Sequence, residues 1–265
     1  MKRFLILLSG RSIKFFGNIL KLSFYVFHFL FPKKRFTLPE RANPLRKASK
    51  PTQVPRIIWQ TNYTSHVTLP VYINYLFNRL MAPSFEYRFM VTEAREAFVR
   101  ENYPGEIYHC YMQLQIGAAQ ADFWRLLVLQ KFGGVYLDID AHSVWSLASI
   151  VRPEYEELYL TTKRGEISNY FIASKPNNRH LEQMIKLIVK NIQEARLSNV
   201  YELTGPGVFN QTLDINTVNT AYYRYTCNQG GFTNEFFQYV DKPQGKWTKE
   251  QQKVHIIKKS DTGRE

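Results

Sequence analysis

The chain has 265 residues, is 45% hydrophobic and carries a formal charge of +13. That is long and apolar enough for one α/β domain with a large core, and it excludes extended disorder. Its two cysteines, Cys110 and Cys227, exclude a disulfide framework, leave a zinc site unsupported and favour a reducing compartment.

The charge is concentrated at one end. Residues 1–50 hold 12 Lys or Arg against one acid, Glu40, a net of +11, and the remainder carries only +2. A nucleic-acid-binding protein would want that charge on its folded part. The same segment is apolar, with Phe4–Leu8 and Phe15–Phe31 rich in Phe, Leu and Ile. The second run is about long enough to span a bilayer, but Asn18 and Lys21 inside it would be costly at the bilayer centre. Residues 1–35 are therefore predicted as a membrane-associating helix at an anionic surface, ahead of a signal anchor and of a buried helical cap. No small-residue cleavage site follows it. The basic, proline-bearing stretch 36–54 reads as a linker, residues 55–255 as the folded domain and 256–265 as a tail.

Within the domain, Arg56–Gln60 reads as a strand, Val71–Met81 as a helix, Tyr87–Val91 as a strand and Ala94–Asn102 as a helix. From Ala118 to Phe132 the residues Phe123, Leu126, Leu127 and Gln130 recur at helical spacing, with Val128 and Leu129 widening an apolar face. Gly133-Gly134 is a stop, because glycine tolerates the left-handed conformation that ends helices. A strand then runs to Asp140. Leu158–Thr162 and Tyr170–Ser174 read as strands and His180–Arg196 as a helix, with Leu181, Met184, Ile185, Ile188 and Ile192 in the core. This alternation predicts a mostly parallel central sheet with helices on both faces.

The chemistry concentrates at the end of the strand after Gly134. Side chains alternate along a strand, so Tyr136, Asp138 and Asp140 share one face. Two carboxylates at that spacing are costly unless a cation or donors satisfy them. They suit one hard divalent metal held by few protein oxygens and completed by substrate phosphates. Such ligands gather beyond the carboxyl ends of sheet strands. Asp122 and Arg125, at i and i+3 on the preceding helix, read either as a surface ion pair or as a pair projecting toward those carboxylates. Gly205-Pro206-Gly207 is turn chemistry by default and an acceptor-site loop as the alternative. Asn169 is a polar loop residue first and an acceptor contact second, and His142 reads as a solvated loop residue.

The block AAQADFWRLLVLQKFGGVYLDID (118–140) resembles the signature of family 32 sugar transferases, the DXD-containing glycosyltransferases. That family includes yeast Golgi mannosyltransferases and bacterial capsule and lipopolysaccharide transferases. The catalytic domains of clostridial glucosylating toxins are more distantly similar. Val54–Thr61 resembles the family's opening strand, and Ser168–Pro176 and Thr204–Gly207 resemble two further segments. The resemblance implies a GT-A-type nucleotide-sugar-binding fold and a retaining reaction dependent on manganese or magnesium. Asp138 and Asp140 would bind the metal, with Asp241 a third ligand. Asp122 and Arg125 would hold donor hydroxyls, and Tyr136 would pack near the nucleotide. Trp59, Gln60 and Thr61 would line the base pocket, with Trp59, where relatives often carry histidine, stacking on the base. Asn169 and Gly205–Gly207 would line the acceptor or donor loop.

The expected partners are a nucleotide-sugar donor, UDP-sugar ahead of GDP-mannose, a glycan or glycolipid acceptor such as lipopolysaccharide or capsule, and an anionic membrane surface. The expected location is the cytoplasmic face of a bacterial inner membrane, with a Golgi-type signal anchor as the alternative. One rival is a metal-dependent phosphohydrolase of the haloacid-dehalogenase type. His142 stands where that type wants Thr or Val, and half the chain precedes the motif. The other rival is a membrane-surface assembly protein for polysaccharide synthesis that has lost catalysis.

Overall fold

The computed structural model describes residues 1–48 and 50–258. It opens with helix α1 (Lys2–Leu30), followed by β1 (Phe36–Thr37), β2 (Arg41–Ala42), β3 (Ile57–Thr61) and β4 (His66–Val67). Helix α2 (Leu69–Met81), β5 (Glu86–Met90), α3 (Thr92–Asn102) and α4 (Glu106–Gln113) lead into α5 (Gly117–Phe132) and β6 (Gly134–Leu137). Beyond it lie β7 (Ala141–Ser143), α6 (Leu147–Ile150), β8 (Glu157–Thr161), β9 (Ile167–Ser174) and α7 (Arg179–Glu194). The chain then forms α8 (Val200–Leu203), α9 (Pro206–Thr212), β10 (Thr220–Tyr222), β11 (Cys227–Gln229), α10 (Glu235–Tyr239) and α11 (Trp247–Glu250).

Among the described residues, seven strands form the main sheet in the order β10-β8-β9-β6-β3-β5-β2. The pairs β10/β8, β6/β3 and β3/β5 are parallel, whereas β8/β9, β6/β9 and β2/β5 are antiparallel. The class is α/β, as expected, but the sheet is mixed where a mostly parallel one was predicted. The difference lies in β9, which follows β8 as an antiparallel neighbour and then pairs with β6.

Strand alternation separates two cores. Trp59, Tyr136, Tyr159 and Ile172 point to the side covered by α3, α5 and α7. Ile58, Val135, Leu158 and Phe171 point to the side covered by α2 and α6. Every residue of α5 from Asp122 to Leu129 is buried. The predicted amphipathic helix is therefore a central one, clothed on all sides, which is why charged Asp122 and Arg125 lie inside the protein. It ends at Gly133, with φ of +64°, where a Cβ would collide with Pro55 and Pro176.

The N-terminal segments are integrated into this body. The stretch predicted as a linker contributes β1, paired with β4, and β2, paired with β5. Helix α1 lies on the domain through Ile6, Gly10, Gly17 and Phe24, while Phe4, Phe15, Phe16, Leu22, Val26 and Phe29 face outward. Among the described residues it is the one helix long and apolar enough to cross a membrane. At the other end, Ile256 and Lys258 hydrogen-bond to Gln115 and Gln113, so the predicted tail begins as a docked segment. Residues 259–265 of that tail lie outside the described residues.

Candidate active site

The sequence places two carboxylates just past β6. The strand ends at Leu137, so Asp138 and Asp140 stand in the turn that follows, not on the strand itself. Ala141 N donates to the Asp138 carbonyl at 2.9 Å to close that turn. Two asparagines one helical turn apart on α2 grip it from below. Asn74 donates to the carbonyls of Ile139 and Ala141, both at 2.9 Å, and Asn78 to Ala141 at 2.8 Å. Gln60, buried at the end of β3, donates to the Asp138 carbonyl at 3.0 Å. The neighbouring Thr61 hydroxyl donates instead to Met90 at 2.6 Å, tying β3 to β5.

One oxygen of the Asp138 carboxylate, Oδ1, is held by two donors. Tyr136 Oη donates to Oδ1 at 2.7 Å, and Arg125 Nη1 stands 3.3 Å from the same oxygen. Arg125 also lies over the Tyr136 ring, 4.3 Å from its centroid, and donates to the Asn169 carbonyl at 2.7 Å. Its Nη2 pairs with Asp122 Oδ1 at 2.8 Å. Asp122 further accepts from Asn169 Nδ2 at 2.9 Å and Thr204 Oγ1 at 3.3 Å. The pair is buried and projects toward the carboxylates, which settles the alternatives left by its spacing. Both side chains are spent on protein partners, so they brace Asp138 from behind.

The electrostatics follow from this packing. Burial works against the Arg125 charge, yet Tyr136, Asp122 and Asp138 leave its pKa raised. Burial pushes Asp122 up to about 7, while Arg125 pulls it down. A guanidinium held protonated at 2.8 Å makes this a charged pair from neutral pH upward. Burial and then the Asp138 charge push Asp140 up to about 6, with the amides of Gln238 and Gln229 pulling back.

The front of the pair meets Gln229, the last residue of β11. Its Nε2 donates to Asp138 Oδ2 at 3.1 Å and to Asp140 Oδ1 at 3.3 Å. One oxygen from each carboxylate therefore faces a common point. Among the described residues there is no group of three His, Cys, Asp or Glu side chains able to hold a metal. Two carboxylates with neighbouring amides fit a hard cation that keeps water or phosphate oxygens, and do not fit a closed all-protein cage.

Three expectations change. Trp59 is fully buried, donates from Nε1 to the Gly133 carbonyl at 2.9 Å and packs on Trp124 and Phe132, so it presents no face to a base. Asp241 is engaged by Arg35, with both oxygens at 2.6 Å from the guanidinium, and is not gathered with Asp138 and Asp140. His142 is buried on β7, between Phe77 and Phe232, with no hydrogen-bond partner among the described residues. Burial pushes its pKa down to about 4. Of the remaining candidates, Asn169 meets Asp122, while Gly205 caps and Pro206 opens α9, with Gly207 packed against Glu202.

Sequence reasoning missed Asn74, Asn78, Thr204, Gln229 and Gln238. The i, i+4 asparagines inside an apolar helix were a readable signal, since buried amides demand partners. Gln229 and Gln238 carried none, because they reach the site only through folding.

The mixed sheet and its carboxylate turn define an α/β fold of the GT-A type. The solved PaToxG glycosyltransferase shares this fold, with a TM-score of 0.52 at 19% identity over 80% of this chain and 78% of that one. Residues 70–158 match the family model described as a glycosyltransferase sugar-binding region containing a DXD motif. The initiation-specific alpha-1,6-mannosyltransferase of Schizosaccharomyces pombe is 26% identical over 192 residues, 60% of this chain and 48% of that protein. A toxin of Photorhabdus asymbiotica is 36% identical over 101 residues, 36% of this chain and 3% of the toxin. The chain thus spans about half of the yeast relative and a small part of the toxin.

Proposed function

We propose that this protein is a metal-dependent, retaining glycosyltransferase that moves a sugar from a nucleotide-sugar donor to a glycan acceptor. The observation that carries the reading is the convergence of Asp138 and Asp140 on one point, braced by the buried Asp122–Arg125 pair, inside the DXD region. A manganese or magnesium ion held by Asp138 and Asp140 would supply Lewis-acid stabilisation of the charge on the departing diphosphate.

This chain's own residues do the rest. Arg125 and Tyr136 hold the Asp138 carboxylate in place, and Asn74 and Asn78 fix the turn that sets the spacing to Asp140. Gln60 holds the backbone beneath the pair. Among the described residues, no side chain near the carboxylates combines nucleophile and base, so front-face substitution within an ion pair is favoured, and catalysis rests on positioning and charge. UDP-sugars are placed first as donors. GDP-mannose is second, a rank supported by the yeast relative's mannosyltransferase name. Lipopolysaccharide or capsule is the favoured acceptor.

The reading of location rests on α1. Its exposed Phe15, Phe16, Leu22 and Phe29 lie in a segment bearing Arg11, Lys14, Lys33 and Lys34. That pairing suits a helix lying on an anionic membrane, at the cytoplasmic face of a bacterial inner membrane, with a Golgi-type signal anchor as the alternative.

The test is release of nucleoside diphosphate from UDP-glucose, UDP-galactose, their N-acetyl forms and GDP-mannose, with manganese or EDTA. Metal-dependent release from one donor is expected. Release unaffected by EDTA would overturn the metal reading, and release from GDP-mannose alone would reverse the donor order.

A further inference from the structure

The turn after β11 ties the carboxylate pair to the N-terminal helix. β11 pairs antiparallel with β7, placing Gln229 opposite Ala141, beside the carboxylate turn. Gly230, with φ of +68°, donates its N–H to the Asp140 carbonyl at 3.0 Å. Its own carbonyl accepts from Lys21 Nζ at 2.5 Å, a contact spanning 209 residues of sequence. On the following residue, the Gly231 carbonyl lies so close to Gly17 that a Cβ there would overlap it. Farther along, Asn234 donates to Tyr25 Oη at 2.8 Å, and Tyr25 stacks on Phe236 at 5.7 Å. One face of α1 is thus fitted to the segment that carries Gln229.

A primary amide has a donor end and an acceptor end of nearly the same shape. Toward bare carboxylates it must present nitrogen, as Gln229 does. Toward a cation it must present oxygen, and the terminal torsion that exchanges the two is broad and soft. Two carboxylates alone leave a six-coordinate ion short of protein ligands, and Gln229 already reaches both of them.

We infer that Gln229 is a third protein ligand of the metal site, turning its Oε1 to the ion, and that Lys21 of α1 is the positioning residue that holds its turn. This rests on the metal-dependent reading above. It makes α1 a structural part of the active site as well as a membrane-facing element.

The test is binding of Mn²⁺ to the full-length protein by titration calorimetry, with and without UDP, alongside thermal unfolding. Gln229→Leu is expected to weaken Mn²⁺ binding by about tenfold or more, with the melting temperature held. Gln229→Glu keeps an oxygen of the same reach and should bind Mn²⁺ at least as tightly as the wild type. Lys21→Met should weaken binding by several-fold, and Lys21→Arg should restore it. Wild-type affinity in Gln229→Leu, or equal losses in the Leu and Glu variants, would overturn the ligand assignment. Wild-type affinity in Lys21→Met, or failure of Lys21→Arg to recover, would overturn the positioning role. A wild-type protein that binds no Mn²⁺ would defeat the metal reading itself, a different outcome from the failure of Gln229 alone.

Discussion

Arg125 stands behind Asp138, with Nη1 3.3 Å from Oδ1, and its remaining donors are committed to Asp122, the Asn169 carbonyl and, at 3.4 Å, the Ala121 carbonyl. In this arrangement it braces the Asp138 carboxylate. Removing it by Arg125→Ala would leave two carboxylates facing each other below the surface. The expected loss is about 3–5 kcal/mol of stability, read by denaturant unfolding. Arg125→Lys keeps the charge but loses the planar fork. It should fold and lose up to about 10²-fold in kcat/KM through misplacement of Asp138.

Asp140→Asn changes one charge with little change in shape. Its expected effect is loss of metal-dependent donor turnover by at least about 10³-fold, the rate equivalent of several kcal/mol. The melting temperature should hold or rise, because a desolvated carboxylate beside Asp138 is removed. Full activity with manganese in this variant would show that the metal sits elsewhere.

The asparagine clamp is a prediction about stability and rate together. Asn78 bonds the Ala141 carbonyl with its nitrogen and accepts from Ser143 N with its oxygen at 3.1 Å. Asn78→Ala strands a buried backbone donor and should cost about 1–3 kcal/mol. Turnover should fall with it, since the same residue sets the carboxylate turn. Unchanged unfolding would mean that water replaces the clamp.

Acid should loosen the ion cluster that joins α10 to α11. Hydrogen bonds from Lys246 and then Lys249 hold the Glu235 carboxyl down at about 2. A carboxyl with a depressed folded pKa contributes stability that is complete above its unfolded value, about 4.3. That contribution is lost as pH falls through the folded value. The melting-temperature difference between wild type and Glu235→Gln should therefore be present at pH 7 and vanish near pH 2. It should also shrink in high salt, because the cluster's side chains are 39–49% exposed to solvent. A difference independent of pH would rule out the ion cluster as its source.

The proposed membrane engagement can be tested apart from the fold at the outer face of α1. Replacing Phe15, Phe16, Leu22 and Phe29 with serine touches none of the residues that dock the helix. Flotation with anionic vesicles should lose the variant while its unfolding temperature stays near wild type. Removing residues 1–35 altogether is a different experiment. It uncovers Phe237 and frees the Gly230 turn, so metal binding should fall as well.

How much of this was legible in the sequence depended on distance along the chain. The block from Ala118 to Asp140 carried helix, stop, strand and carboxylates within 23 residues; local periodicity located the helix and the strand, but the strand stops at Leu137 and leaves both carboxylates in the turn. Asp122 and Arg125 remained ambiguous because i, i+3 spacing says which helical face they share and not what covers it. The answer came from Thr204 and Asn169, far away in sequence. Trp59 was misplaced for a related reason. The end of a strand was readable, but nothing local showed that α5 and Phe132 would close over its outer face. The 36–54 stretch looked like a linker because two-residue strands leave no periodic trace.

The burial of the aromatic core also decides how the protein can be watched. Of its four tryptophans, Trp59 and Trp124 are completely shielded and meet edge to face at 6.4 Å. Their emission reports whether the core is intact and is blind to anything arriving at the surface. Only the half-buried Trp145 and Trp247 can sense solvent. An optical titration of this protein therefore reads two probes over a constant background from the other pair, and Trp59→Phe would sharpen it.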